Sequence, residues 1–150
     1  MQIPVRPVVF FAWMSIGASA IAGTSVALAA TCSPIEVDAA TWKRLQRFDP
    51  GARVKVTISG AAAVERYFVM ATDKELIVLN LTAANLPKRR LLNMAADNPT
   101  WIAGSWKTTY RDNDLRIGPD GVFVKDQKLA ELAEVVERIP RDQIAAVIKS

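Results

Sequence analysis

Between Gly51 and Leu81 the chain reads GARVKVTISGAAAVERYFVMATDKELIVLNL, and apolar residues recur there at every second position. This rhythm constrains the fold more than any other feature, because successive side chains of a strand face opposite sides of a sheet. Val54, Val56 and Ile58 fall on one face of a first strand, with Arg53, Lys55 and Thr57 on the other. Ser59-Gly60 supplies a turn that glycine's freedom at positive φ permits. In the second strand Val64, Phe68 and Met70 share a face, with Arg66 in their row, and Glu65, Tyr67 and Val69 share the other. Thr72-Asp73-Lys74 turns the chain again. The third strand, Leu76 to Leu81, is apolar on both faces apart from Asn80, so it requires cover on both sides. That cover comes from elsewhere in the chain or from a partner.

Composition removes several chemistries. The 150 residues fit one domain and contain no His, which excludes Ser-His-Asp and Cys-His catalysis, His-ligated zinc and haem held through His. A single Cys permits neither an internal disulfide nor a thiolate cluster. Asp112, Asn113, Asp114 and Asp120 have the composition of a calcium loop but lack its Gly and terminal Glu, and turn chemistry accounts for them. Asp112 and Asp114 as a general acid–base pair have no sign of burial to support them. No catalytic set assembles, and no cofactor or metal is expected.

Arg6 is the only charge before Glu36, and the run between them passes from FFAWM to a small-residue section. A basic start, an apolar centre and a small-residue end describe an export signal over residues 1–30, with Ala27-Leu28-Ala29 or Leu28-Ala29-Ala30 suited to a signal peptidase. Left uncut, the run has the length of a membrane anchor. Cys32 gives a third reading, since a Cys just after such a segment resembles the acceptor of a bacterial lipoprotein signal. Thr31 departs from the small residue that pattern wants. The exported location and the small net charge of +4 argue against nucleic acid as a partner.

Asp38 is placed to cap a helix from Ala39 to about Phe48, with Trp42, Leu45 and Phe48 as its apolar stripe. Asp49-Pro50-Gly51 ends it. A short Trp-bearing helix, a Pro-Gly turn, VKVTISG, a longer second strand and LIVLNL together resemble the start of a small Sm-like β-barrel of exported bacterial proteins. VVERIPRDQIAAVIK, residues 135–149, resembles the end of such a module. The resemblance implies a mainly β (α+β) chain, an Sm-like or Src-homology-3-type β-barrel of residues 31–150. It has an N-terminal helix and a helical insertion, residues 82–133, between strands 3 and 4. Such modules often carry Gly where the second strand bends, and Arg66 stands there instead. The resemblance makes Val135 to Ile139 a strand, Pro140 to Gln143 a turn and Ala145 to Lys149 the closing strand. The spacing of Ile144, Val147 and Ile148 is also that of a helix face. Two further strands would cover the open edges of three, which favours the barrel.

Within the insertion, Pro87 to about Asp97 reads as a helix with Leu91, Leu92 and Ala95 inside, and Asn98-Pro99 as the cap and start of another ending near Gly104. Trp101 and Trp106 are expected to cover the second face of strand three. Leu115 to Ile117 and Val122 to Val124 flank Gly118-Pro119-Asp120-Gly121 as a hairpin. Leu129, Leu132, Val135 and Val136 then fall at helical spacing. Lys43, Arg44, Lys88, Arg89 and Arg90 are the candidate contacts to an anionic membrane surface. The functional expectation is a non-enzymatic interaction or structural module of the cell envelope, with a protein partner or self-association. The alternative is peripheral binding to anionic lipid.

Overall fold

The computed structural model describes residues 37–105 and 107–150. Three strands follow one another as two antiparallel hairpins: β1 (Arg53–Ile58), β2 (Val64–Ala71) and β3 (Glu75–Leu79). Gly60 takes φ +78° in the first turn. In the second, the Thr72 hydroxyl accepts from the backbone N–H groups of Lys74 and Glu75. Leu76, Ile77, Val78 and Leu79 are each no more than 1% exposed, so the doubly apolar strand is covered on both sides. Each such side chain contributes roughly 1.5–3 kcal/mol by leaving water.

The cover comes from two different parts of the chain. Leu76 and Val78 join a first core with Val54, Val56, Phe68, Ile139 and Ile144, closed by Trp42 and Leu45 of helix α1 (Ala39–Leu45). Asp38 caps α1 by accepting from the Thr41 N–H at 2.8 Å, and Trp42 donates its ring N–H to the Thr72 carbonyl at 2.8 Å. The helix is thereby tied to the β2–β3 turn. Ile77 and Leu79 face a second core, built by the insertion. There helix α2 (Lys88–Asp97) supplies Leu91, Met94 and Ala95, and helix α3 (Pro99–Gly104) supplies Ile102. A four-stranded antiparallel meander completes it: β4 (Tyr110–Asp112), β5 (Leu115–Gly118), β6 (Gly121–Val124) and β7 (Gln127–Ala130). A short helix α4 (Leu132–Val135) leads into β8 (Val136–Pro140). A 3₁₀ turn, Arg141–Gln143, leads on to β9 (Ile144–Lys149). The strand order of the larger sheet is β8-β3-β2-β1-β9. Residues 136–149 are thus strand, turn and strand, not helix.

Several expectations need correction. Met70 does not share the face of Phe68. The β2–β3 register steps from Phe68↔Val78 to Met70↔Ile77, so Val69 is an extra residue in β2. This bulge reverses the alternation: Val69 and Met70 pack on the second core, while Ala71 returns to the first. The bend therefore falls at Val69 rather than at Arg66. The insertion is not simply helical, since it contains a sheet of its own. The larger sheet does not close on itself among the described residues, and β8 and β9 are its two edges. Helix α1 ends at Leu45, after which Arg47 and Phe48 make tighter three-residue bonds to Arg44 and Leu45. Asn98 precedes α3 but makes no side-chain cap; its carbonyl accepts from Trp101 and Ile102. Leu129 lies in β7, and the helical spacing that follows yields only the single turn of α4. Trp101 packs beside Tyr110 with ring centres 4.9 Å apart, against the second core as expected. Trp106 lies outside the described residues.

Gly121 is the tightest backbone position in the meander. It has φ +126°, and a Cβ there would stand 2.5 Å from the Ala130 carbonyl oxygen of the neighbouring strand. Gly121→Ala is expected to lower stability by about 2–3 kcal/mol, measured by urea unfolding.

Candidate anion-contact face

The meander buries one face and presents the other. Leu115, Ile117 and Val122 point into the second core. The residues between them pair across the strands as Arg111↔Arg116, Arg116↔Phe123 and Phe123↔Lys128. The outer face thus carries a transverse row of three cations and one aromatic ring. Strands lie about 4.8 Å apart, so the row is roughly 14 Å long. The Arg116 guanidinium sits 3.7 Å from the centre of the Phe123 ring, and the Lys128 ammonium 6.0 Å away on its other neighbour. Arg116 also pairs with Asp120 at 2.7 Å and Lys128 with Glu131. Among the described residues no ion pair engages Arg111, which is exposed. Such a row can meet an array of anionic groups through charge, with the Phe123 ring holding the Arg116 guanidinium in place.

The structure divides the sequence-predicted cations. Lys43 and Arg44 are exposed on α1, which covers the first core, and they occupy its last turn, where the helix dipole favours positive charge. Lys88 and Arg89 are exposed at the start of α2, which covers the second core on the opposite face of the sheet. Arg90 serves the fold. It donates to Asp114 Oδ1 at 2.6 Å and to the Asp112 carbonyl at 2.7 Å, clamping α2 to the β4–β5 turn. Of the carboxylates with the composition of a calcium loop, Asp112 and Asp114 are thus partners of Arg90, and Asp120 is a partner of Arg116. Cys32 and residues 1–30, the stretch expected to be an export signal, lie outside the described residues. Among the described residues no helix is long and apolar enough to cross a membrane.

Ion pairs stitch the rest of the fold. Arg66, in the inward row of β2, donates from Nε to Glu137 Oε2 at 2.7 Å. Asn80 donates to the other oxygen of Glu137 at 3.1 Å, and its own oxygen accepts from the Thr82 hydroxyl. Hydrogen bonds thus link β2, the residue after β3, and β8 at a polar end of the first core. Glu75 and Arg138 pair at 2.6 Å beside a hollow of about 350 Å³ that Met70, Ile77, Thr100 and Ala103 also line.

Sequence reasoning missed the basic row. The hairpin centred on Pro119-Asp120 was the signal at hand, since it sets Arg116 opposite Phe123. Arg111 and Lys128 carried none, because the turns that bring in β4 and β7 lack glycine. Asn113, Lys125 and Asp126 take φ values of 52°, 50° and 63° there. A comparison with protein-family models, curated proteins and solved structures finds no match for this chain.

The hydrogen bond from Arg90 holds the Asp114 carboxyl below the ordinary aspartate range, and that from Arg116 does the same for Asp120. A lowered folded-state value gives stability that is complete above the ordinary aspartate range, about pH 4, and is lost as pH falls through the folded values. Thermal melting from about pH 5 downward should show this loss. Asp114→Asn should melt lower than wild type at pH 5 and lose less on acidification. For the inner pair, Arg66 and Glu137 side chains are 15% and 25% exposed, so solvent screens only part of the interaction. Replacing either by Ala should cost about 1–2 kcal/mol, and the double variant should cost less than the sum, as a double-mutant unfolding cycle would read.

Proposed function

We propose that this chain is a non-enzymatic interaction module of the bacterial envelope, built on an Sm-like or Src-homology-3-type barrel and exported or tethered through residues 1–30. The order β8-β3-β2-β1-β9 supports the barrel reading: three consecutive strands form the centre, and two C-terminal strands joined by a 3₁₀ turn flank it. The observation that carries the functional reading is the use made of the carboxylates. Asp114, Asp120, Glu137 and Glu75 are each committed to an arginine that joins them to another element or turn. Asp114 and Asp120 are moreover held ionised, the opposite of what a general acid requires. The ionisable groups build the scaffold, and in the solvent-facing row of the meander Arg111 has no ion pair among the described residues while Arg116 and Lys128 also hold Asp120 and Glu131.

A second reading, peripheral association with an anionic surface, is favoured by that row. Residues 1–30 would keep the domain near a membrane, and Arg111, Arg116 and Lys128 would meet phosphate headgroups. Flotation of the full chain with phosphatidylglycerol vesicles, against phosphatidylcholine vesicles, tests it. Recovery should rise with anionic lipid, fall with salt, and drop severalfold in Arg111→Glu/Lys128→Glu. Binding that ignores lipid charge and these substitutions would dismiss the surface reading. Cell fractionation with the mature N-terminus determined tests the envelope reading. Recovery in the cytosol with residues 1–30 intact would sink it.

A further inference from the structure

The larger sheet ends in two edges, and they are not equivalent. In β8, Asn80 N–H donates to the Val135 carbonyl and Arg141 N–H to the Lys74 carbonyl. With the register Val78↔Glu137, this points the backbones of Glu137 and Ile139 toward β3 and those of Val136, Arg138 and Pro140 outward. Pro140 has no N–H, and the Val136 N–H is spent on the Leu132 carbonyl of α4. The edge is blunted at both ends. The meander's edges are short, with three residues in β4 and four in β7.

β9 has none of these protections. Its six residues, IAAVIK, include no Pro or Gly and one charge, at the end. Ser150 N–H donates to the Arg53 carbonyl, and Lys55 pairs with Ile148. The backbones of Ala146 and Ile148 therefore face β1, and those of Val147 and Lys149 point away from the sheet. Ile148 is 61% exposed, and among the described residues it is the large hydrophobic side chain left in solvent.

We propose that β9 is a self-association edge. Two copies pair antiparallel about a two-fold axis at Ile148, joining two five-stranded sheets into one. In this register Val147 of each copy forms a hydrogen-bonded pair with Lys149 of the other. The two Ile148 residues form the non-hydrogen-bonded pair between them, where side chains approach most closely. The exposed side chain is covered by its own equivalent. Charge agrees, because Lys149 meets uncharged Val147 and its ammonium lies 5.7 Å from the Phe48 ring of its own chain. A head-to-tail arrangement of β9 on β8 would meet the blunted edge instead. So short an edge buries less than the roughly 1,200 Å² of a stable interface, so the dimer is weak, dissociating at roughly tens to hundreds of micromolar.

Amide hydrogen exchange and sedimentation of the full chain, at about 10 µM and about 1 mM, test the proposal. The Val147 and Lys149 amides should exchange at least about twofold more slowly at the higher concentration, as mass action requires of a dimer this weak, with a monomer–dimer equilibrium in sedimentation. Ile148→Lys should abolish both effects, and the milder Ile148→Thr should weaken the association at least about threefold. Exchange that does not depend on concentration would overturn the proposal. So would an association that Ile148→Lys leaves unchanged, or an assembly larger than a dimer.

Discussion

Everything in this fold depends on a strand that cannot tolerate water on either side. Leu76 to Leu79 present four apolar side chains in succession, and alternation sends two of them each way. A lone sheet would leave half of that surface wet. The chain answers with two layers, one made by α1 with the apolar residues of the sheet's own first face, the other by the 82–133 insertion. The alternative posed by the sequence, cover from within the chain or from a partner, is settled in favour of the chain. The insertion is therefore structural before it is anything else.

The bulge at Val69 is the device that serves both layers. Without it β2 would keep strict alternation, and Met70 would enter the first core beside Phe68. With it, β2 gives Phe68 and Ala71 to one layer and Val69 to the other, with Met70 packed against it. Every residue near the step is apolar, so a period-two pattern reads equally well in either phase. That is why the strands themselves were legible and the phase change was not. Arg66 shows the complementary case. A charge in an inward row marks a place where burial ends, and the Glu137 carboxylate that satisfies it, itself held by Asn80, comes from a strand far along the chain. A partner separated by so much sequence leaves no local signal.

The insertion was half legible for a related reason. Pro87, Pro99 and the Gly118–Gly121 turn announce two helix starts and a hairpin through residues with strong backbone preferences. The other two turns rely on Asn113, Lys125 and Asp126 at positive φ, conformations that side chains other than glycine adopt reluctantly. They are held from outside. The Lys125 N–H donates to the Asp114 carbonyl, and Arg90 grips Asp112 and Asp114 from α2. Asp112-Asn113-Asp114 has the composition of a turn, but the three residues of β4 are too few to show a strand rhythm, and Lys125-Asp126 lacks glycine, so β4 and β7 went unread. With them went Arg111 and Lys128, the ends of the basic row.

Once both faces of β3 are covered by the chain itself, the surface available to others is narrowed by construction. α1 occupies one side of the larger sheet, the insertion the other, and several carboxylates are spent tying strands and turns within each piece. What the fold still offers is of two kinds. One is a face, the row of the meander, where a ring flanked by cations is suited to negative charge. The other is an edge, β9, where backbone groups and Ile148 are suited to another strand. These lie in different layers and draw on different interactions, one weakened by salt and the other indifferent to it. No residue of the row belongs to β9, so the two proposed contacts draw on separate residues.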